Sequence, residues 1–350
     1  MKIDSISVKF PSLKLTNQDI VNLIKDNFMK GSRSSIELDR IRKYSIKMTK
    51  LLNKSGCNTR YIRKKKERSI DLIMENITNI FFDNPIKKTD IDLLIYCGVG
   101  KKFLEPSNAY FIAREMNILC DCFDISDACM SWVRSLAMAY SFLKSNSYKR
   151  ILIVNGEFNI YEHGFEKFTG ILSNQELEYS IPAFTIGECT TATLVSSSAD
   201  DWIFKFRSLP KYADLCTIPL HGYEDFTNRS EKIGLNGVAK FTSFGAELLD
   251  IASTEFMKFI KDNDFDLSKY DYFLPHSATY DLIIKKSKKL GIPKEKILLN
   301  TFKSFGNLVS ASIPASLYIN EKEGKIKRGN NILLCPMSAG ISLGLVDFIY

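Results

Sequence analysis

The chain has 350 residues, 45% of them hydrophobic and 25% charged, with a formal net charge of +8. That length and balance suit a large folded core, and no apolar run approaches the ~20 residues that a membrane-spanning helix requires. The opening Met1-Lys2-Ile3-Asp4-Ser5 lacks the apolar core of a secretory signal, so the expected compartment is the cytoplasm. The eight cysteines, at 57, 97, 120, 122, 129, 189, 216 and 335, show no C-x-x-C pairing. Several stand in apolar runs, which reads as reduced, buried thiols and not as a disulfide framework. None of the three histidines stands near a Cys or His at metal-ligand spacing, so no metal site is expected.

In chain order, residues 3–10 read as a strand closed by Pro11, and Thr16 or Asn17 caps a helix over 18–29. Gly31-Ser32-Arg33-Ser34-Ser35 is a break. Residues 36–53 are helix-like and basic, and 56–68 read as a loop by composition. From Ser69, the residues Ile70, Ile73, Ile77, Ile80 and Phe81 recur at helical spacing, with Asp71 and Glu75 near the start. Residues 92–97 are a continuous apolar run bounded by Gly98 and Gly100, the pattern of a buried parallel strand. Leu104-Glu105-Pro106-Ser107 opens the next helix, with Pro106 in its first turn. Residues 120–125 form a strand and 130–143, apolar nearly all round, a buried helix. Residues 151–154 are another buried strand, ending at Asn155-Gly156-Glu157.

The rest of the chain repeats this rhythm, with helices over 245–260, 278–290 and 308–318 and short strands over 272–274 and 331–335. Each helix feeds a short buried strand that ends at a candidate catalytic residue or loop. The rhythm predicts an α/β protein of two similar halves, 1–170 and 171–350, packed as one body because no low-complexity linker divides them. The basic run Arg60-Tyr61-Ile62-Arg63-Lys64-Lys65-Lys66-Glu67-Arg68 fits a solvated loop, or a surface for an acidic carrier protein or a phosphate-bearing cofactor. Nucleic-acid binding has no recognition-helix or RNA-binding pattern to support it.

Asp124-Ile125-Ser126-Asp127-Ala128-Cys129 is the stretch that carries chemistry. It ends a strand and opens a helix, so the Cys129 thiol is expected near free backbone N–H groups and the positive end of a helix dipole. Both favour thiolate, although Asp127 opposes it. A small buried cysteine in a tight turn is the plain structural alternative. His276 ends a buried strand in Leu274-Pro275-His276-Ser277-Ala278, where α/β proteins gather ligands. Asn307 sits in Phe305-Gly306-Asn307-Leu308, a turn before a helix. Taken alone, the histidine reads as structural and the asparagine as a cap. Together the three fit thiolate chemistry: a nucleophile, a proton partner and an amide for a forming oxyanion.

These segments resemble the thiolase-fold condensing enzymes of the ketosynthase III branch (3-oxoacyl-ACP synthase III). The resemblance rests on Phe123-Asp124-Ile125-Ser126-Asp127-Ala128-Cys129, on Pro275-His276-Ser277-Ala278 with Leu290-Gly291-Ile292-Pro293, on Phe305-Gly306-Asn307 leading to Ala311-Ser312-Ile313-Pro314-Ala315, and on the closing Met337-Ser338-Ala339-Gly340-Ile341-Ser342-Leu343-Gly344. It implies a five-layered αβαβα body and a homodimer. It implies acyl transfer to Cys129 from acyl-CoA or an acyl carrier protein, with no metal or redox cofactor. The backbone N–H groups of Cys129 and of Ala339 or Gly340 are then the oxyanion donors. Lys102-Phe103-Leu104-Glu105-Pro106-Ser107 is similar to a motif of the head-to-head acyl-condensing branch. That likeness implies that Glu105 is a base serving the partner subunit, against the plainer reading of a helix-start residue. Gly187-Glu188-Cys189-Thr190-Thr191-Ala192 departs from the family pattern, as does the basic 36–68 region.

The implied reaction is a Claisen condensation of the Cys129-bound acyl group with a second acyl or malonyl thioester. Three rivals stand beside it. The acyl group passes to an amine or alcohol, or to water as in papain-like hydrolases, or the chain is a non-catalytic subunit of a heterodimer.

Overall fold

A computed structural model describes residues 1–29, 35–168 and 173–350. The break expected at Gly31-Ser32-Arg33-Ser34 lies outside these residues, and Ser35 already belongs to a helix. The N-terminal part runs β1 (Lys2–Lys9), β2 (Leu13–Thr16), α1 (Asn17–Met29), α2 (Ser35–Ser55), β3 (Thr59–Ile62), α3 (Ser69–Asp83), β4 (Leu93–Cys97), α4 (Asn108–Met116), β5 (Asp121–Ile125), α5 (Ser131–Lys144) and β6 (Arg150–Glu157). It continues through α6 (Asn174–Phe184), β7 (Cys189–Ser196), β8 (Ile203–Ser208), the two-stranded ribbon of β9 (Cys216–Thr217) and β10 (Thr242–Ser243), α7 (Gly245–Asp262) and β11 (Tyr272–Pro275). It closes with α8 (Asp281–Lys289), α9 (Asn300–Phe305), α10 (Ser312–Lys322), β12 (Asn331–Cys335), β13 (Met337–Ser338) and β14 (Ser342–Ile349).

Two five-stranded sheets result. The first has the order β1-β7-β6-β4-β5; the second joins β11, β12, β14 and β13, with β8 also paired to β14. Alternation along each central strand sends successive side chains to opposite faces. Leu93, Ile95 and Cys97 of β4 face a central core, whereas Leu94 and Tyr96 face an outer one. Ile332 and Leu334 of β12 meet the same central core, and Leu333 and Cys335 face the other outer layer. The central core also holds Trp132 and Leu136 of α5 and Ile313 and Leu317 of α10. Full burial of each such side chain contributes roughly 1.5–3 kcal/mol. The layers are therefore α3/α4, sheet, α5/α10, sheet, α7, the αβαβα order expected. Helices α1, α2 and α6 form a further cluster around Ile24, Met48 and Phe184.

Several sequence expectations change. Residues 56–68 are not all loop: β3 pairs antiparallel with β2. Its inward positions are Arg60 and Ile62, and a buried arginine hides the alternation from a polarity-based reading. Arg60 is fully buried, with its Nη2 donating to Asn17 Oδ1 at 2.9 Å and to Cys57 Sγ at 3.3 Å. Thr16 caps α1 by a reciprocal pair: Asp19 N–H donates to Thr16 Oγ1 (3.2 Å) and Thr16 N–H to Asp19 Oδ2 (2.8 Å). Pro106 precedes α4 and does not open its first turn. The helices expected from 278 and 308 start later, at Asp281 and Ser312.

The chain also crosses from one sheet to the other between β7 and β8, not near residue 170. β7 lies between β1 and β6, antiparallel to both, so a division at 170 cuts off the strand that completes the first sheet. No described helix is long and apolar enough to cross a membrane.

Candidate active site

Cys129 sits in a one-turn helix, Ala128–Met130, between β5 and α5. The turn is tight because Ala128 takes φ +44°, a left-handed conformation that a non-glycine residue adopts only where neighbours enforce it. Those neighbours are visible. Asp127 N–H donates to Ser131 Oγ (2.8 Å), Ser131 Oγ–H donates to Ala128 O (2.8 Å), and Met130 N–H donates to Asp127 O (2.8 Å). From the closing loop, Ser338 Oγ–H donates to Asp127 O at 3.3 Å.

His276 follows β11 and is 5% exposed. Its backbone N–H donates to Cys335 O (3.3 Å), and its Nδ1 has no hydrogen-bond partner among the described residues. Asn307 is pinned from three sides. Its N–H donates to Thr185 O (2.8 Å), its carbonyl accepts from Gly187 N–H (3.1 Å), and its Oδ1 accepts from Val309 N–H (2.9 Å). With Oδ1 engaged, the open end of the Asn307 amide is the Nδ2 donor. Two glycines make this packing possible. A Cβ at Gly187 would stand 2.0 Å from Phe305 O, and one at Gly306 (φ +77°) 2.4 Å from Thr185 O.

The fold brings these residues together. Cys129, His276, Asn307 and Ala339 line one cavity of about 360 Å³, among apolar walls that include Ile186, Leu248 and Phe302. The Ala128–Met130 turn packs directly on the Val309–Ala311 turn and on β13. Gly340, at φ +111°, lies behind Ala339 and is not part of the cavity wall. Glu105 is exposed and outside the cavity of its own chain.

The expectation of a thiolate at rest does not hold. Burial raises the Cys129 pKa well above the ordinary thiol value, and Cys216, Glu157 and Asp127 push it further in the same direction. The backbone N–H of Cys129, directed at its own sulfur, is the opposing influence. Desolvation outweighs the helix end here because that effect is modest and falls off within a turn. Burial also lowers the pKa of His276 to about 4. The resting pair is thus a neutral thiol and a neutral imidazole, which offers one nitrogen as donor and one as acceptor.

Three residues of the site region escaped the sequence reading. Cys216 lines the same cavity, its thiol pushed up to about 11 by burial. His163 also lines it; its Nδ1–H donates to Ala239 O at 2.8 Å, which leaves Nε2 open. Glu157 is fully buried behind the wall at the end of β6. Only Glu157 had a legible signal, its place at the carboxyl end of a buried strand. Among the described residues no cluster of three or more His, Cys, Asp or Glu is placed to hold a metal.

The architecture and this cavity define a thiolase-fold protein with cysteine, histidine and asparagine at one site. Comparisons with known proteins agree. The family 3-Oxoacyl-[acyl-carrier-protein (ACP)] synthase III matches residues 123–161, and its C-terminal counterpart matches residues 260–347. The first segment contains Cys129; the second contains His276, Asn307, Ala339 and Gly340. Glu105 lies outside both. The chain is 26% identical over 301 residues to the beta-ketoacyl-[acyl-carrier-protein] synthase III of Neisseria gonorrhoeae, covering 85% of this chain and 89% of that one. It is 27% identical over 298 residues to the protein of that name from Rickettsia massiliae, covering 83% and 87%. Among solved structures, OleA of Xanthomonas campestris superposes with a TM-score of 0.80 at 20% identity, covering 99% of this chain and 97% of that one. The chain is thus similar to 3-oxoacyl-[acyl-carrier-protein] synthase III in the two segments that hold the candidate site.

Proposed function

We infer that this chain is an acyl-thioester condensing enzyme that carries its first acyl group on Cys129. The observation that bears the most weight is the single cavity, largely apolar, into which a thiol, an imidazole and an asparagine amide donor open together. Such a cavity suits an acyl chain beside a reacting thioester.

In the first half-reaction the Cys129 proton passes to His276 as sulfur attacks the thioester carbonyl. The Cys129 N–H and a backbone N–H of the Ser338–Gly340 loop hold the oxyanion. The departing thiol takes the proton back from His276, which leaves an acyl-Cys129 thioester. A second thioester then yields a carbanion at its α-carbon, by loss of CO2 from a malonyl group or by loss of a proton to a base. Asn307 Nδ2 and His276 stabilise the enolate oxygen. Attack on the Cys129 thioester forms the carbon–carbon bond and breaks the carbon–sulfur bond, which frees Cys129 and a β-keto product. No metal or redox group enters these steps.

In the head-to-head variant Glu105 is the base, and its position sets a condition. Exposed and outside its own cavity, it acts only in the cavity of a second copy. The surface around it supports a homodimer. β5 is the last strand of its sheet, with one edge unpaired among the described residues, and nearby Leu104 and Leu119 are 93% and 95% exposed. Two such edges paired across a two-fold axis convert two five-stranded sheets into one of ten. The acyl donors are acyl-CoA or an acyl carrier protein. Helix α8 carries Lys285, Lys286, Lys288 and Lys289 next to the cavity residue Ile283, a cationic approach for either phosphate or an acidic carrier. A free nucleophilic thiol among eight free cysteines suits a reducing compartment, and we place the protein in the cytoplasm.

The test is to count the acyl groups joined in each product and the CO2 released, with and without a malonyl donor. A β-keto product with one CO2 released marks decarboxylative condensation; a β-keto product that joins two whole acyl chains without CO2 marks head-to-head condensation. In both, one thiol leaves on acylation of Cys129 and the second acyl group enters with its thioester, which releases a thiol only on hydrolysis. A product holding a single acyl group as amide, ester or free acid marks transfer to an amine, an alcohol or water, and that outcome overturns the reading.

A further inference from the structure

Glu157 ends β6 with none of its surface exposed. Arg63 and Lys102 both donate to the neighbouring Phe158 carbonyl, yet they pair with Glu188 and Glu162, and among the described residues no cation pairs with Glu157. Its charge is met by neutral donors instead. Oε1 accepts from Ser310 Oγ–H, from Ser310 N–H (3.3 Å) and from Val99 N–H (3.4 Å); Oε2 accepts from Asn159 Nδ2 (2.8 Å). Ser310 Oγ in turn accepts from Asn155 Nδ2 at 2.5 Å.

These bonds reach the site in two directions. Ser310 belongs to the Val309–Ala311 turn, and Val309 N–H is the donor that orients the Asn307 amide. Val309 is β-branched yet takes φ +51°, a conformation held only by surrounding structure. The Glu157–Ser310 bonds are among those that tie down this turn. In the other direction, Val99 and Asn159, which grip the carboxylate, line the cavity beside Cys129. We propose that Glu157 is a positioning residue of the reaction: through Ser310 it fixes the turn that aims Asn307, and its charge sets how readily Cys129 releases its proton.

Burial raises the Glu157 pKa to about 7, against the donors that favour its ionised form. The titratable groups around it are Tyr96 and Cys97 of β4, Cys189 of β7 and Cys129 itself, and the Glu157 charge raises the pKa of each. Cys129 also feels Cys216 and Asp127, the latter paired with Arg134. Tyr96 feels Asp124 and Arg63, which act on it in opposite senses. Below about pH 7, then, Cys129 faces one anion fewer; above it, the new charge slows the growth of thiolate.

The proposal rests on Cys129 as the acyl-carrying nucleophile, and its first test uses no acyl substrate, so the two readings fail separately. The rate of Cys129 alkylation by iodoacetamide is followed by peptide mass from about pH 6 to about pH 10. Glu157→Gln, which keeps an acceptor for Ser310, shifts the profile to lower pH and reacts about threefold or more faster near pH 8. Wild type shows a break in the rise of log rate with pH near pH 7, which keeps the test valid if the variant fails to fold. Ser310→Ala, in a steady-state assay of condensation, loses about tenfold in kcat with KM within about threefold. A wild-type rise with no break near pH 7, or coincident profiles for wild type and a folded Glu157→Gln, overturns the electrostatic role. Full kcat in Ser310→Ala overturns the positioning role.

Discussion

Arg134 holds the carboxylate of Asp127, with 2.8 Å between Nε and Oδ2. Its guanidinium lies over the Phe206 ring, 4.0 Å from the centroid, and its Nη2 donates to Ser342 Oγ at 3.3 Å. The anion two residues before the nucleophile, which on sequence alone opposes thiolate, is therefore paired with a cation on the helix that follows.

Arg134→Met leaves Asp127 unpaired, so the Cys129 thiol becomes harder to ionise. Acylation of Cys129, timed by intact mass, slows about threefold to tenfold. Asp127→Asn in the same chain restores most of the rate, because the anion and its partner are then both gone. Both side chains are about one-third exposed, and solvent screening keeps the effect modest.

Arg63 and Glu188 form a second pair, this one buried. Arg63 N–H donates to Glu188 Oε2 at 2.8 Å, Nε to Oε2 at 3.2 Å and Nη2 to Oε1 at 3.2 Å, and Ile160 N–H adds a bond to Oε1 at 3.1 Å. Removing one member of such a pair costs about 3–5 kcal/mol. Glu188→Leu therefore lowers the urea-unfolding free energy by that order, and Arg63→Met does likewise. Arg63→Met with Glu188→Leu together regains a large part of the loss.

Stability against pH carries opposite signatures from His276 and Glu157. His276 holds a folded pKa of about 4 against an ordinary 6.5. Between those values the unfolded chain binds the extra proton, so stability is full above about pH 6.5 and is lost as pH falls toward 4. The loss is about 3 kcal/mol at most. Glu157, raised from 4.5 to about 7, keeps its proton in the folded state. Its contribution is full below pH 4.5 and is lost as pH rises to about 7. Urea unfolding across this range shows the two separately. His276→Gln flattens the acid-side loss, and Glu157→Gln flattens the loss toward neutral pH.

Glu105→Gln touches no buried group, so the melting temperature stays within what a surface change produces, about 0.5 kcal/mol. Acylation of Cys129 also stays intact. Head-to-head condensation is abolished if Glu105 supplies the base to a partner cavity; unchanged condensation assigns it to the surface alone.

The central strands, and the three residues that the fold brings to one cavity, are legible in the sequence for physical reasons. Leu93 to Cys97 and Asn331 to Cys335 are buried on both faces, so they read as continuous apolar runs. Cys129, His276 and Asn307 each stand where an element ends, and their shared setting spoke louder than any one of them. What stayed hidden depended on partners distant in sequence. The basic run looked solvated, yet Arg60 and Arg63 are buried because Asn17 and Glu188 wait for them across the fold. The Arg63–Glu188 pair joins the basic run to Gly187-Glu188-Cys189, two segments that depart from the family pattern. The state of Cys129 is hidden from the sequence because desolvation is a property of the assembled cavity, not of the helix end that local sequence reveals.

The most direct measurement of the central claim is the intact mass of the protein after incubation with a panel of acyl-CoAs and acyl carrier proteins, beside its Cys129→Ala form. The account predicts a single acyl adduct on the wild type, mapped to Cys129 and discharged by a second thioester, and none on the variant. No adduct with any donor, or an equal adduct on the variant, contradicts it.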